Sequence, residues 1–172
     1  MKICFVRHGH NRGDKLTSLG KKQCKNVCYD LYYEDFDKVY CSPLNRTMQT
    51  AKIICKKLSI SNIKYDERLK EREQLRMVSD DPEIIEYNEN YLNYNYCHTN
   101  PEGCREFCNR IFSFLDDLID KHLDNDDNIL IIGHSSTLYA INAYFTGIPK
   151  DKQIIWMRLG NCGKVCYEIN KK

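Results

Sequence analysis

Met1-Lys2-Ile3-Cys4-Phe5-Val6-Arg7-His8-Gly9-His10-Asn11 is the stretch from which the rest of the chain is read. Four consecutive apolar residues, Ile3 to Val6, run straight into a cluster of ionisable side chains. A short apolar run bounded by polar residues suits a strand covered on both faces, as in a parallel sheet. In open α/β sheets ligands bind in the crevice beyond the carboxyl ends of the strands, which places Arg7 and His8 at its floor. Gly9 removes a side chain where something must approach closely.

The same pattern returns much later. Ile129-Leu130-Ile131-Ile132 is the strongest buried strand of the sequence, and it ends on Gly133-His134-Ser135-Ser136 with a helix expected from Thr137 to about Phe145. Between the two lies a short strand, Val39 to Cys41, followed by Ser42-Pro43-Leu44-Asn45-Arg46-Thr47-Met48-Gln49-Thr50-Ala51. Pro43 suits a first helical turn and Ser42 its cap. That puts Arg46 near a helix start, where an anion would meet both its guanidinium and the positive helix end.

Arg7-His8-Gly9 resembles the signature of the histidine phosphatases, the superfamily that includes the phosphoglycerate mutases. The superfamily's Ser-Pro-Leu-x-Arg-x-x-Gln-Thr-Ala is matched at every fixed position by residues 42 to 51, and its second histidine corresponds to His134. Leu16, Thr17, Gly20 and Gln23 match a further Leu-Thr-x-x-Gly-x-x-Gln pattern, which also reads as an ordinary helix start. The resemblance runs from Ile3 to about Glu71 and again from Pro101 to Gly163. It implies a three-layer α/β/α sandwich with a mostly parallel central sheet, phosphoglycerate mutase-like, formed by residues 1–172 as one histidine-phosphatase domain with a variable cap at about residues 74–100.

The chemistry it implies is hydrolysis of a phosphate monoester by a metal-independent route that needs no cofactor. His8 is the nucleophile, forming a phosphohistidine. Arg7, Arg46, His134 and Asn11 bind the phosphoryl group, and a carboxylate protonates the leaving oxygen. In the superfamily's phosphatase branch that acid sits in an Arg-Leu-x-Glu context, here Glu71, with Glu73 and Glu67 as alternatives in the same charged run. The expected substrate is a small phosphorylated metabolite. A protein phosphohistidine phosphatase, a phosphoglycerate-type mutase and a non-catalytic phosphate-binding pseudoenzyme are the alternatives.

Departures from the pattern are as informative. Asn11 stands where Ser or Thr is usual, and Asp14 where many members carry Asn; an ionised Asp14 repels a phosphate unless it points away or pairs with Arg12 or Lys15. Gly103-Cys104-Arg105 replaces the common Gly-Glu-Ser, leaving Arg105 as a substitute cation or a solvated residue. The Trp-Glu-Gly common after the acid is absent, so substrate inference stops there.

Composition bounds the remainder. In 172 residues, 26 basic and 24 acidic side chains nearly balance at a net charge of +2, which argues against nucleic acid or an anionic membrane as partner. No secretory h-region and no run of 18 apolar residues is read, so a cytoplasmic protein, monomer or homodimer, is expected. None of the ten cysteines forms Cys-x-x-Cys, and all are expected reduced and packed as small hydrophobes. A His8-Gly9-His10 metal site lacks a supporting ligand cluster downstream. Leu19, Cys24, Val27, Cys28 and Leu31 predict one amphipathic helix, capped by Thr17 or Ser18. Phe107, Ile111, Phe114, Leu115, Leu118 and Ile119 predict another. Ile63 to Tyr65, Trp156 to Leu159 and Lys164 to Ile169 are expected strands, and short helical pieces are expected within 83–93.

Overall fold

A computed structural model describes residues 1–73, 80–97 and 102–170. A third of the segment expected to form a cap, residues 74–79 and 98–100, therefore lies outside the described residues. Strands β1 (Lys2–Arg7), β4 (Lys38–Cys41), β5 (Ile63–Tyr65), β6 (Asn128–Gly133) and β7 (Lys164–Glu168) form one sheet in the order β5-β4-β6-β1-β7. All neighbours are parallel except β1 and β7. A two-stranded ribbon, β2 (Asn11–Arg12) with β3 (Lys15–Leu16), follows β1. Helices α1 (Ser18–Leu31) and α2 (Asn45–Lys57) precede α3 (Pro82–Glu89), which lies in the segment expected to form the cap, and α4 (Cys104–His122) and α5 (Ser135–Thr146) follow it.

Alternation along the strands explains the three layers, because successive side chains point to opposite faces. Ile3, Phe5, Tyr40, Ile129 and Ile131 face α4 and α5 and join their buried stripes. Cys4, Val6, Val39, Cys41, Leu130 and Ile132 face α1 and α2 on the other side. Both faces are dry, which is why these strands read as continuous apolar runs.

Several expectations need correction. Leu19 is 53% exposed, and the inner face of α1 is made by Gly20, Cys24, Val27, Cys28 and Leu31. Thr17 is the cap, its hydroxyl accepting from Gly20 N–H. Helix α2 begins at Asn45, and its cap position is Leu44 with no side-chain capping bond, so Ser42 is released for another partner. Residues 156–159 form no strand; they are a loop that returns toward Arg7. Helix α5 opens two residues earlier than expected, at Ser135, immediately after His134. The cysteines are not all reduced: Cys4 and Cys166, directly opposite each other in the β1–β7 ladder, form a disulfide, while eight others are free. Facing positions on paired strands bring side chains within bonding reach. Spacing read along one chain carries no sign of such a pairing, because the partners are 162 residues apart.

Candidate active site

The register of β1 against β6 builds the centre. Arg7 is opposite Gly133, so His8 and His134 are the first residues beyond two adjacent parallel strands, and their rings meet at 5.3 Å between centroids. His8 N–H donates to Gly133 O at 3.0 Å. On the other side of β6, β4 ends one register step away, and the Ser42 hydroxyl lies 2.8 Å from His134 Nε2. The residue read as a helix cap thus orients a buried imidazole.

Each histidine is held by one nitrogen and presents the other. His8 Nδ1 is 2.9 Å from Gly9 O. A carbonyl only accepts, so Nδ1 carries the proton and Nε2 the lone pair. His134 Nδ1 is buried with no hydrogen-bond partner among the described residues, and the nearest carboxylate oxygen, Glu71 Oε2, is 3.6 Å away.

Arg46 is shared. One terminal nitrogen donates to Glu71 Oε2 at 2.7 Å and the other to Asp14 Oδ1 at 2.8 Å. Asp14 therefore pairs with Arg46, and not with Arg12 or Lys15; it also accepts from the backbone N–H of Asn45 at the start of α2. Arg7 donates to Leu159 O at 2.7 Å, the contribution of the irregular 156–159 loop. Of the alternative carboxylates, Glu67 pairs with Lys70 and Glu73 is exposed, and it is Glu71 that lies beside Arg46 and His134. Asn11 makes its side-chain hydrogen bond to Gly13 O within the β2–β3 turn, and Arg105 turns to Asn95 and the Tyr94 ring.

What approaches Gly9 is helix α1. A Cβ there would stand 2.7 Å from Gly20 O and 3.0 Å from Cys24 Sγ. Gln23 accepts from His10 N–H at 2.8 Å and Thr17 Oγ1 is 2.9 Å from His10 Nδ1. The Leu-Thr-x-x-Gly-x-x-Gln segment is therefore a dock between α1 and the loop carrying His8.

Burial and neighbouring cations keep both imidazoles neutral. His8 is lowered to about 4, by burial first and then by Arg46 and Arg7, against the opposing pull of the Gly9 carbonyl and Asp14. His134 is lowered well below its ordinary value, by burial and then by Arg46, His8, Arg110 and Arg7. The unfolded chain therefore takes up these protons first as pH falls, and stability present above pH 6.5 is lost between there and about 4. We expect the urea midpoint to correspond to about 2 kcal/mol less stability at pH 5 than at pH 7.5 from His8 alone, and a His8→Gln variant to flatten that dependence.

One ligand atom each from His8, Glu71 and His134 lies within 4.8 Å of the others, so these three residues could grip a transition ion, whereas His10 is engaged with Thr17. Two guanidinium groups beside that set favour an anion instead.

A protein of Hydrogenobacter thermophilus provisionally named phosphoserine phosphatase 2 is 31% identical over 159 residues, covering 86% of this chain and 74% of that protein. The adenosylcobalamin/alpha-ribazole phosphatase of Escherichia coli is 26% identical over 170 residues, covering 88% and 82%. The solved structure of Bacillus stearothermophilus YhfR superposes with a TM-score of 0.81 at 18% identity, covering 98% of this chain and 91% of that one, and speaks for the fold. Residues 3–172 match the family model of the histidine phosphatase superfamily, branch 1, and the chain belongs to that family.

Proposed function

We propose that this chain hydrolyses a small phosphate monoester through a phosphohistidine on His8, by a route that needs no metal. The observation that carries the reading is the orientation of His8. Its Nδ1 proton is committed to Gly9 O, leaving the lone pair on Nε2, in a ring that feels the Arg46 charge and has one nitrogen within 4.8 Å of ligand atoms of Glu71 and His134. A neutral imidazole with a fixed lone pair is a competent nucleophile, and the Arg46 and Arg7 charges disfavour its protonation.

A phosphoryl group takes over the Arg46 donors now shared by Asp14 and Glu71, and Arg7 and His134 Nδ1 supply further contacts. Charge-assisted bonds of this kind contribute about 1.5–3 kcal/mol each. His8 Nε2 then attacks phosphorus as the ester P–O bond breaks, and Glu71 gives its proton to the departing oxygen. In the second half Glu71 withdraws a proton from water, the water oxygen bonds to phosphorus, and the N–P bond breaks to regenerate His8 and free phosphate. Phosphorylated hydroxy acids and ribosides of the kind named by the relatives are the substrates to try first.

The test is turnover with chelator present, together with trapping of a phosphoenzyme that is labile in acid and stable in base. Phosphate release without any such species overturns the reading. Glu71→Gln is expected to lower kcat/KM about 10²- to 10³-fold on alkyl phosphates and far less on dinitrophenyl phosphate, whose leaving group needs no proton. Glu73→Gln is expected to leave that comparison flat.

A further inference from the structure

Glu71 lies in residues 70–73, a stretch outside any helix or strand, so its carboxylate must be fixed by something other than secondary structure. Upstream, Arg110 donates to Lys70 O at 2.8 Å. Downstream, the bonds seen among the described residues fall on Arg72 and Glu73. The Arg72 N–H donates to Ser136 Oγ at 3.4 Å, two residues beyond His134, and its carbonyl accepts from Tyr91 O–H at 3.0 Å. Tyr87 O–H donates to the next carbonyl, Glu73 O, at 2.7 Å.

The Arg72 side chain itself is only 2% exposed. Its Nε donates to Glu102 O at 2.9 Å, and the guanidinium carbon sits 5.0 Å from the centre of the Tyr87 ring and 4.4 Å from that of Tyr91. Both tyrosines come from the cap, on or just after α3. Among the described residues no partner lies in good hydrogen-bond geometry to the two terminal nitrogens, and their polar neighbours are neutral, the Tyr87 hydroxyl and the Cys104 thiol. Burying a cation this way is costly, and an apolar side chain of similar length would hold the same space more cheaply. What the guanidinium offers is a flat plate that two aromatic faces can grip, with a fixed direction for its Nε bond.

We propose that Arg72 is a positioning residue for proton transfer: gripped by Tyr87 and Tyr91, it sets the backbone on the far side of Glu71 and so aims that carboxylate at the leaving oxygen. The cap and the acid then move as one piece, which ties recognition of the leaving group to its protonation. This inference rests on the assignment of Glu71 as the acid.

The test measures kcat/KM for Arg72→Met, Arg72→Lys and Tyr91→Phe beside Glu71→Gln, over esters ranging from dinitrophenyl to alkyl phosphate, with melting temperatures alongside. Arg72→Met is expected to lose about 30-fold on the alkyl ester and about threefold on the dinitrophenyl ester, with melting unchanged or raised and the alkaline limb of its pH profile flattened. Arg72→Lys is expected to rescue little, because a point charge presents no plate to the rings. Tyr91→Phe keeps the ring, loses the bond to Arg72 O, and gives a smaller loss of the same kind; it carries the test if Arg72→Met does not fold. Equal losses on all esters, or a loss that follows melting temperature, overturn the proposal. A flat series for Glu71→Gln itself overturns the assignment of the acid instead, a failure that the series keeps separate.

Discussion

Replacing His8 by alanine is expected to lower kcat by about 10⁴-fold or more and to remove all acid-labile phosphoenzyme, since no other group offers phosphorus a lone pair from the same position. The loop does not depend on the imidazole for its shape. His8 N–H is bonded to Gly133 O, His8 O accepts from Asn161 Nδ2 at 3.0 Å, and Arg7 O accepts from Cys162 N–H, all through backbone atoms that alanine retains. The phosphate donors therefore stay in place, and vanadate or an unreacted ester is expected to bind His8→Ala within about tenfold of the parent, since that affinity comes from the guanidinium groups. Calorimetric titration and quenched-flow labelling measure the two quantities independently. Full activity in His8→Ala sinks the mechanism; full loss of binding shows that the imidazole also builds the pocket.

Gly20→Ala is the second large effect, and two forces oppose each other in it. Alanine in a helix interior is favoured over glycine by about 1 kcal/mol. The added Cβ, however, would lie 2.0 Å from His10 O, 2.9 Å from His10 N and 3.0 Å from His10 C, all backbone atoms of the loop that carries His8. Propensity loses, because neither the helix nor the loop can yield that much without displacing the other. We expect about 3 kcal/mol or more of destabilisation by urea unfolding, and about 10²-fold lower kcat in whatever folds, as the nucleophile is shifted by the order of 1 Å. Gly160→Ala is the control: its Cβ meets nothing within 4 Å, and its effect is expected within about 0.5 kcal/mol. Unchanged stability in Gly20→Ala would show that α1 does not dock on this loop.

The parts of the molecule that could be read from residues alone are those governed by pattern. Both strand-end histidines follow apolar runs, and parallel pairing of such runs puts the residues after them side by side. Arg46 follows from a motif at a helix start, and Glu71 from its place after Arg68-Leu69. What stayed hidden depends on distances between remote segments. Ser42 has the look of a cap, and only the closeness of β4 to β6 shows that its hydroxyl serves His134. Read along the chain, Asp14 can only point away or pair with Arg12 or Lys15, its neighbours in sequence, whereas the β2–β3 turn carries it to Arg46. Arg72 sits in a charge run that reads as a solvated face, and nothing in that run announces that Tyr87 and Tyr91 will enclose it. The Cys4–Cys166 pair is likewise set by the opposition of two strands.

The order of the central sheet also governs how the molecule comes into being. The pairing of β1 with β6 joins residues 2–7 to residues 128–133, and closing so long a loop costs about 4 kcal/mol of chain entropy before any contact repays it. Strand β1 therefore lacks its parallel neighbour until residues 128–133 are also available. The two imidazoles meet only after that late closure, so a fragment that stops short of β6 has no means of assembling the histidine pair.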